Sequence, residues 1–508
     1  VRTLTRIGLS ITVVFASSVS WAAPLHYRPA KGYRTISTDV YEVSVRKNGP
    51  VDITLVSGEL VFANVYPMVW FEGDARPKPL AISGKSTARQ VANDPLGQGQ
   101  GMVFAKNDCL WSIRTYIAKP YLAAQVAFVN TTRKPIKVKM LLPWCLGEPK
   151  SGTFSLGPGT DRAVILENGR TLDDGAALPA LVTGASESLW NMAVYNPVTR
   201  RSLVAGFVTH TRAHTQFRLE RGPEAPEDGF DLFRAQCIYD PPVEVPPDGR
   251  LVSELVYLSV GEPNPHLGLE RYGAAVATVN AVRRMKPLVP HGWDSWSSPQ
   301  GTDITEAGLL ETLDFTDARL KRYGWTHLTV GPGWERKPGD WEPDPERFPH
   351  GMKWLADQVH ARAMTAGLSV APFVVHRDAP VARGHPDWLV GPNAVGRKHM
   401  PKGCLILDVT APGASEYVQS LCRKVSQEWG YDALFAVELA CPLLGSKRVK
   451  TPSNEFEGAT DGSLTRIEAL NRGLQVIRAG LGRDTCLLGG GPLPVVGVFA
   501  EGMSLGPA

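Results

Sequence analysis

One change of rhythm divides this chain. Up to residue 262 it reads as strands separated by turns, and beyond Pro263-Asn264-Pro265 it alternates strands with helices. YEVSVRK (41–47), VDITLVS (51–57), LAAQVAFVN (122–130), KVKMLLPW (137–144), SLVAGFVTH (202–210) and LVSELVYLSV (251–260) alternate or run in β-branched residues, with Gly, Pro and Asn between them. That period, punctuated in that way, predicts a large antiparallel β-sandwich over 24–262.

After the break, LGLERYGAAVATVNAVRRM (267–285) reads as a helix in a linker spanning 263–286. PLVPHGW (287–293), WTHLTVG (325–331), GLSVAPFVV (367–375), CLILDV (404–409), DALFAVEL (432–439) and TCLLGGG (485–491) read as strands, and GMSLG (502–506) as the start of another. Helical spacing fills 305–323, 352–364, 415–430 and 464–480. The first of these helices is acidic early, carries Lys321 and Arg322 late, and stops at Gly324. Repeated βα units predict a parallel sheet with ligands at the carboxyl ends of its strands. About six barrel strands can be counted over 287–508, two short of a closed (β/α)8 TIM barrel, so an incomplete barrel is expected.

The 508 residues suffice for two or more domains, and 43% hydrophobic against 20% charged residues is a globular balance. A net charge of +4 with no Lys/Arg block argues against nucleic acid as a partner. Arg2 and Arg6, the apolar run Ile7 to Val19 and Ser20-Trp21-Ala22 predict a cleaved signal peptide over 1–23. The expected location is therefore secreted or periplasmic, with no integral membrane segment after cleavage. The seven cysteines form no CxxC pair and no His stands at zinc-ligand spacing, so no metal and no cofactor is expected.

HGWDSW (291–296), GDW (339–341), RFPHGMKWLADQVH (347–360), HPDW (385–388), LD (407–408) and LLGGGPL (487–493) occur in an order that resembles the α-galactosidases of glycoside hydrolase families 27 and 36, closest to family 36. The resemblance is detailed over roughly 285–508. It implies an N-terminal β-supersandwich, a (β/α)8 barrel, and hydrolysis of α-galactosides with retention. Retention needs a nucleophilic carboxylate and an acid/base about 5–5.5 Å apart.

Carried onto this chain residue by residue, the resemblance finds those positions changed. The family's nucleophile is the Asp of a Lys-x-Asp motif following Trp-Gly-x-Asp. Here the entry is Trp429-Gly430-Tyr431-Asp432, the lysine position is Phe435 and the nucleophile position is Val437. The family's Asp-Asp-Gly-aromatic turn appears as Gly331-Pro332-Gly333-Trp334, and the acid/base position is Ala508, after Met503 to Pro507. A family cysteine appears as Gly490, and a third-strand Trp as Ser369.

No catalytic residue is therefore assigned. Glu438 is the fallback nucleophile, although strand alternation turns it away from Val437. Trp334, Asp340, Trp341 and Trp293 are candidate substrate-binding residues, through ring stacking and hydroxyl contacts with an α-galactoside or other oligosaccharide. Core packing is the competing role for each tryptophan. Three readings stand: a catalytically impaired, at most carbohydrate-binding relative; an active retaining α-glycosidase using a shifted carboxylate such as Glu438; and a truncated product without function.

Overall fold

The computed structural model describes residues 33–46, 49–82, 86–169, 176–179, 184–222, 225, 228–282, 290–297, 301–392, 400–448, 463–490 and 494–504. The expected signal segment 1–23 and the acid/base position Ala508 lie outside them. The chain forms two units, one of residues 1–209, 215–238 and 244–280, the other of 210–214, 239–243 and 281–508.

The first unit holds the expected antiparallel sandwich. One sheet follows the order 33–37, 41–46, 51–55, 60–71, 136–146, 232–245, 214–221, 184–189, and the other 164–167, 191–196, 201–207, 256–262, 121–129, 109–116, 97–106, 86–94. Strand Tyr41–Arg46 alternates strictly between buried and half-buried residues, as one core-facing side requires. Phe62 anchors the core, stacked on Phe154 at 4.9 Å and edge-on to Trp144 at 5.6 Å and Phe233 at 5.4 Å. The buried Trp111 indole donates to Pro143 O at 2.8 Å, so its polar atom is satisfied inside the core. Helix α1 (Pro265–Val279) starts with Pro265 and is capped by Asn264, which accepts the His266 N–H at 3.0 Å. It lies on the sandwich because Gly206 leaves room for the Tyr272 ring; a Cβ there would stand 2.3 Å from it.

The second unit is built on six parallel strands in chain order: β1 (Gly292–Asp294), β2 (His327–Val330), β3 (Thr365–Val370), β4 (Ala433–Ala436), β5 (Cys486–Gly490) and β6 (Gly502–Ser504). Between them run α2 (Glu306–Phe315), α3 (Gly351–Ala361), α4 (Ala414–Arg423) and α5 (Arg466–Leu481). This is the expected barrel-type arrangement, as a curled, open parallel sheet among the described residues. Thr465 and Glu468 make a reciprocal capping box that fixes the start of α5.

Two expected strands are shorter in the structure. The run 367–375 breaks into β3 and Val374–His376, because Pro372 between them has no N–H to continue the ladder. The run 432–439 ends at Ala436, just before Glu438 takes a left-handed backbone with φ +54. Val374–His376 joins Cys404–Leu407, Leu389–Pro392 and Gly445–Arg448 in a small antiparallel sheet, so the segment 404–409, counted among the expected barrel strands, lies outside the parallel sheet, whose sixth strand is Gly502–Ser504.

Side-chain direction follows from the parallel register. His327 bonds Thr329 Oγ1 at 2.9 Å and Thr365 Oγ1 at 2.8 Å, so these three share one face. Leu328, Val330, Ala366, Leu368, Leu434 and Ala436 take the other face and are buried. Helices cover an apolar sheet face, so the His327 face is the barrel lumen. By period, Gly331, Ser369, Phe435, Val437, Leu488 and Gly490 stand on that lumen face at its carboxyl end.

Candidate functional site at the barrel mouth

The ends of β1 and β2 close on one another. Ser295 Oγ accepts the Gly331 N–H at 2.6 Å. A Cβ at Gly331 would fall 2.8 Å from Ser295 Oγ, 2.8 Å from Trp296 N and 3.1 Å from Trp296 Cβ. At Gly333, with φ +105, a Cβ would meet Thr302 O at 2.2 Å. Close packing thus requires glycine at 331, where the resemblance expects a hydroxyl-binding acid, and at 333, where the resemblance itself has glycine. Asp294 pairs with Thr329, accepts the Trp296 N–H at 3.1 Å, and has its carboxyl raised above the ordinary range by burial. Trp296 is 45% exposed. Among the tryptophans at this end it is the most exposed, and with Trp293 and Trp334 it is one of the rings that the sequence offers for stacking on a sugar.

The candidate sugar contacts sit as follows. Trp334 is fully buried, donates its indole N–H to Ser369 O at 2.9 Å, and meets Trp429 edge-on at 5.7 Å. Its ring joins β2 to β3 and is no surface platform. Trp293 is half-buried and pairs with Leu328, which puts it on the helix-facing side. Trp341 is 3% exposed and stacks on Tyr417 at 4.4 Å, with a left-handed backbone (φ +53) and an indole nitrogen lacking a partner among the described residues. Asp340 precedes it, and its carboxylate faces Arg336 Nε at 3.0 Å.

The loop carrying these two residues is held from inside by a residue that no motif or spacing singles out. Glu335 Oε2 accepts the N–H of Gly339 at 3.0 Å and of Trp341 at 3.2 Å. Burial pushes its carboxyl up to about 7, against the lowering effect of those two bonds. A lone Glu in a charged loop carries no periodic signal, so only the closed loop reveals it.

At β4 the lumen face presents Phe435 and then Val437, whose N–H continues the ladder to Val370 O at 2.9 Å. Gly490 stands beside them; a Cβ there would lie 3.2 Å from Val437 Cα. Ser369 Oγ is buried, with no partner among the described residues. Glu438 is half-buried, and its Oε2 lies 3.8 Å from Cys441 Sγ. All seven cysteines are buried and unpaired.

Residues 332–434 match the Melibiase family model. Alpha-galactosidase C of Emericella nidulans is 30% identical over 88 residues, a match covering 16% of this chain and only 12% of that protein's length. In overall fold the chain is similar to the GH36 α-galactosidase AgaB of Geobacillus stearothermophilus, with TM-score 0.64 and 12% identity over 94% of this chain and 75% of that one. It is similar also to TtGalA, an α-galactosidase of Thermus thermophilus in complex with stachyose, with TM-score 0.51 and 21% identity over 83% of this chain and 78% of that one. With the ordered motifs, the parallel sheet and these matches together, the chain is a relative of the melibiase-type α-galactosidases and carries the family 36 fold.

Proposed function

We propose that this protein binds an α-galactoside or related oligosaccharide at the barrel mouth, with hydrolysis impaired, and that it acts after export. The observation carrying this reading is the pair Phe435 and Val437 on the lumen face of β4. Neither side chain can attack an anomeric carbon or hydrogen-bond a sugar hydroxyl. The packing of Ser295 and Trp296 against Gly331 supports it, since there is no room for an acid at that position. The stachyose complex of TtGalA supports an oligosaccharide as the ligand class. Trp296, exposed at the end of β1, offers a ring for the apolar face of a sugar.

The test pairs two measurements on the purified protein: titration with stachyose by calorimetry, and turnover of an aryl α-galactoside. Binding without turnover is expected. Robust turnover would overturn the impairment, and absence of binding would favour the reading without function.

One observation favours the alternative of an active enzyme. The left-handed backbone at Glu438 interrupts strand alternation, so its carboxylate is not held to the face opposite Val437. Turnover that is abolished by Glu438→Gln would establish that alternative.

A further inference from the structure

The sandwich unit carries a cleft of about 540 Å³, lined by Arg46, Ala63, Asn64, Asp231 and the turn from Gly147 to Thr153. Its walls are fixed by the protein itself. Within the turn, the Lys150 N–H bonds Gly147 O at 3.1 Å. Tyr66 Oη donates to the same Gly147 O and accepts the Lys150 N–H at 3.3 Å. The Asn64 side-chain amide donates to Ser151 O, and the Asn64 N–H is held by Asp52 Oδ1 at 2.8 Å. The other oxygen of Asp52 takes Arg46 Nε at 2.8 Å. A Cβ at Gly147 would stand 2.7 Å from Asp231 O, and one at Gly152 would stand 2.9 Å from Ala63 O. The turn therefore packs backbone against backbone at both glycines, and a ligand meets a preformed cleft rather than one it must order.

The lining carries both signs of charge. Arg46 is committed to Asp52, but Glu148 and Lys150 are exposed and have no ion-pair partner among the described residues. Lys150 Nζ lies 4.9 Å from the centre of the Tyr66 ring, which steadies the ammonium without neutralising it. Asp231 supplies a second carboxylate, whose Oδ1 accepts the Gly222 N–H at 2.9 Å. An anion here would meet Glu148 and Asp231, and a cation would meet Arg46 and Lys150. No aromatic residue lines the cleft, since Tyr66 is buried beneath it with Lys150 over its ring, so a flat apolar ligand finds no platform. A neutral polyol suits such a wall. Each of its hydroxyls both donates and accepts, so neighbouring hydroxyls satisfy a carboxylate and an ammonium together. The volume lies within the roughly 300–1,000 Å³ of small-ligand sites.

We propose that this cleft is a carbohydrate site of the sandwich unit, which takes a neutral oligosaccharide through its hydroxyls, with Glu148 and Lys150 as the contacting side chains. It uses no residue of the barrel mouth and stands whether or not the mouth binds sugar.

Limited acetylation of the full chain by an N-hydroxysuccinimide ester, read lysine by lysine by mass spectrometry, tests it. With stachyose at about 50 mM, a site with Kd of about 5 mM slows Lys150 roughly tenfold, by the factor 1 + [L]/Kd. Lys119, exposed and outside the cleft, should react unchanged. Glu148→Ala, at an exposed position, should keep the fold and lose the protection of Lys150. An unchanged Lys150 rate would overturn the proposal, as would equal slowing at Lys119 or full protection persisting in Glu148→Ala. Slowing by inorganic phosphate and not by stachyose would also overturn it, in favour of an anion. Trp296→Ala should leave the Lys150 response intact, so failure at the barrel mouth and failure at this cleft are read separately. Loss of the response in that variant would assign the shielding to the mouth and overturn the cleft.

Discussion

The Ser295 hydroxyl accepts the Gly331 amide N–H at 2.6 Å, at the position where the sequence resemblance leads one to expect a sugar-binding acid. This contact packs the end of β1 against Gly331, which has no side chain to hold it off. Three glycines, at 331, 333 and 490, each leave less than 3.3 Å for a Cβ.

Gly331→Asp should destabilise the second unit without adding activity. Its Cβ would lie 2.8 Å from Ser295 Oγ and from a backbone nitrogen, and a backbone nitrogen cannot yield as the end of a flexible side chain can. Overpacking of this kind costs about 1–3 kcal/mol, with the desolvated carboxylate adding to it. Urea unfolding would read this as a lower midpoint; an unchanged midpoint would show that the β1 end is free to move.

Val437→Asp alone should give no aryl α-galactosidase turnover. The new carboxylate would sit on the lumen face beside Gly490 and two residues from Phe435, with no lysine next to it. General acid–base help typically contributes about 10²–10⁴-fold, and a nucleophile without positioned substrate forgoes comparable factors. Turnover appearing in this single variant would mean that the remaining mouth still orients a galactoside.

Much of the architecture was legible because it depends on local periodicity. The two-residue alternation of 41–46 and the helical spacing of 464–480 each announce their element within a few residues. The site was less legible because its roles depend on partners far along the chain. Nothing near Trp334 indicates that its indole will bond Ser369 O, and nothing near Trp341 points to Tyr417. An aromatic residue in a loop reads equally well as a sugar platform or as packing until those partners are known. The close approach of Ser295 to Gly331 and the left-handed turn at Glu438 are likewise tertiary facts, invisible to spacing.

Trp334→Phe should lower stability while keeping the fold. It removes the N–H that satisfies Ser369 O and trims the edge-on contact with Trp429. Leaving a buried carbonyl unpaired costs about 1–3 kcal/mol. If this ring were instead a sugar platform, the substitution would weaken stachyose binding with little change in melting temperature. Measuring both quantities on one preparation separates the two roles.

The pH dependence of stability provides the last prediction, and its sign runs opposite to that of most carboxylates. Glu335 has its folded pKa raised from 4.5 to about 7, so the native state holds its proton more tightly than the unfolded chain does. Between those values the folded form binds more protons, and stability falls as pH rises. The loss is complete once pH exceeds the folded value, at up to about 3 kcal/mol, less whatever opening of the loop relieves. Glu335→Gln removes this titration while keeping an acceptor oxygen for the amides of Gly339 and Trp341. The variant should therefore gain on the wild type as pH rises from about 5 to about 8. Denaturant midpoints taken across that range give the comparison directly. A stability difference that stays constant with pH would show that the closed loop already accommodates the charge.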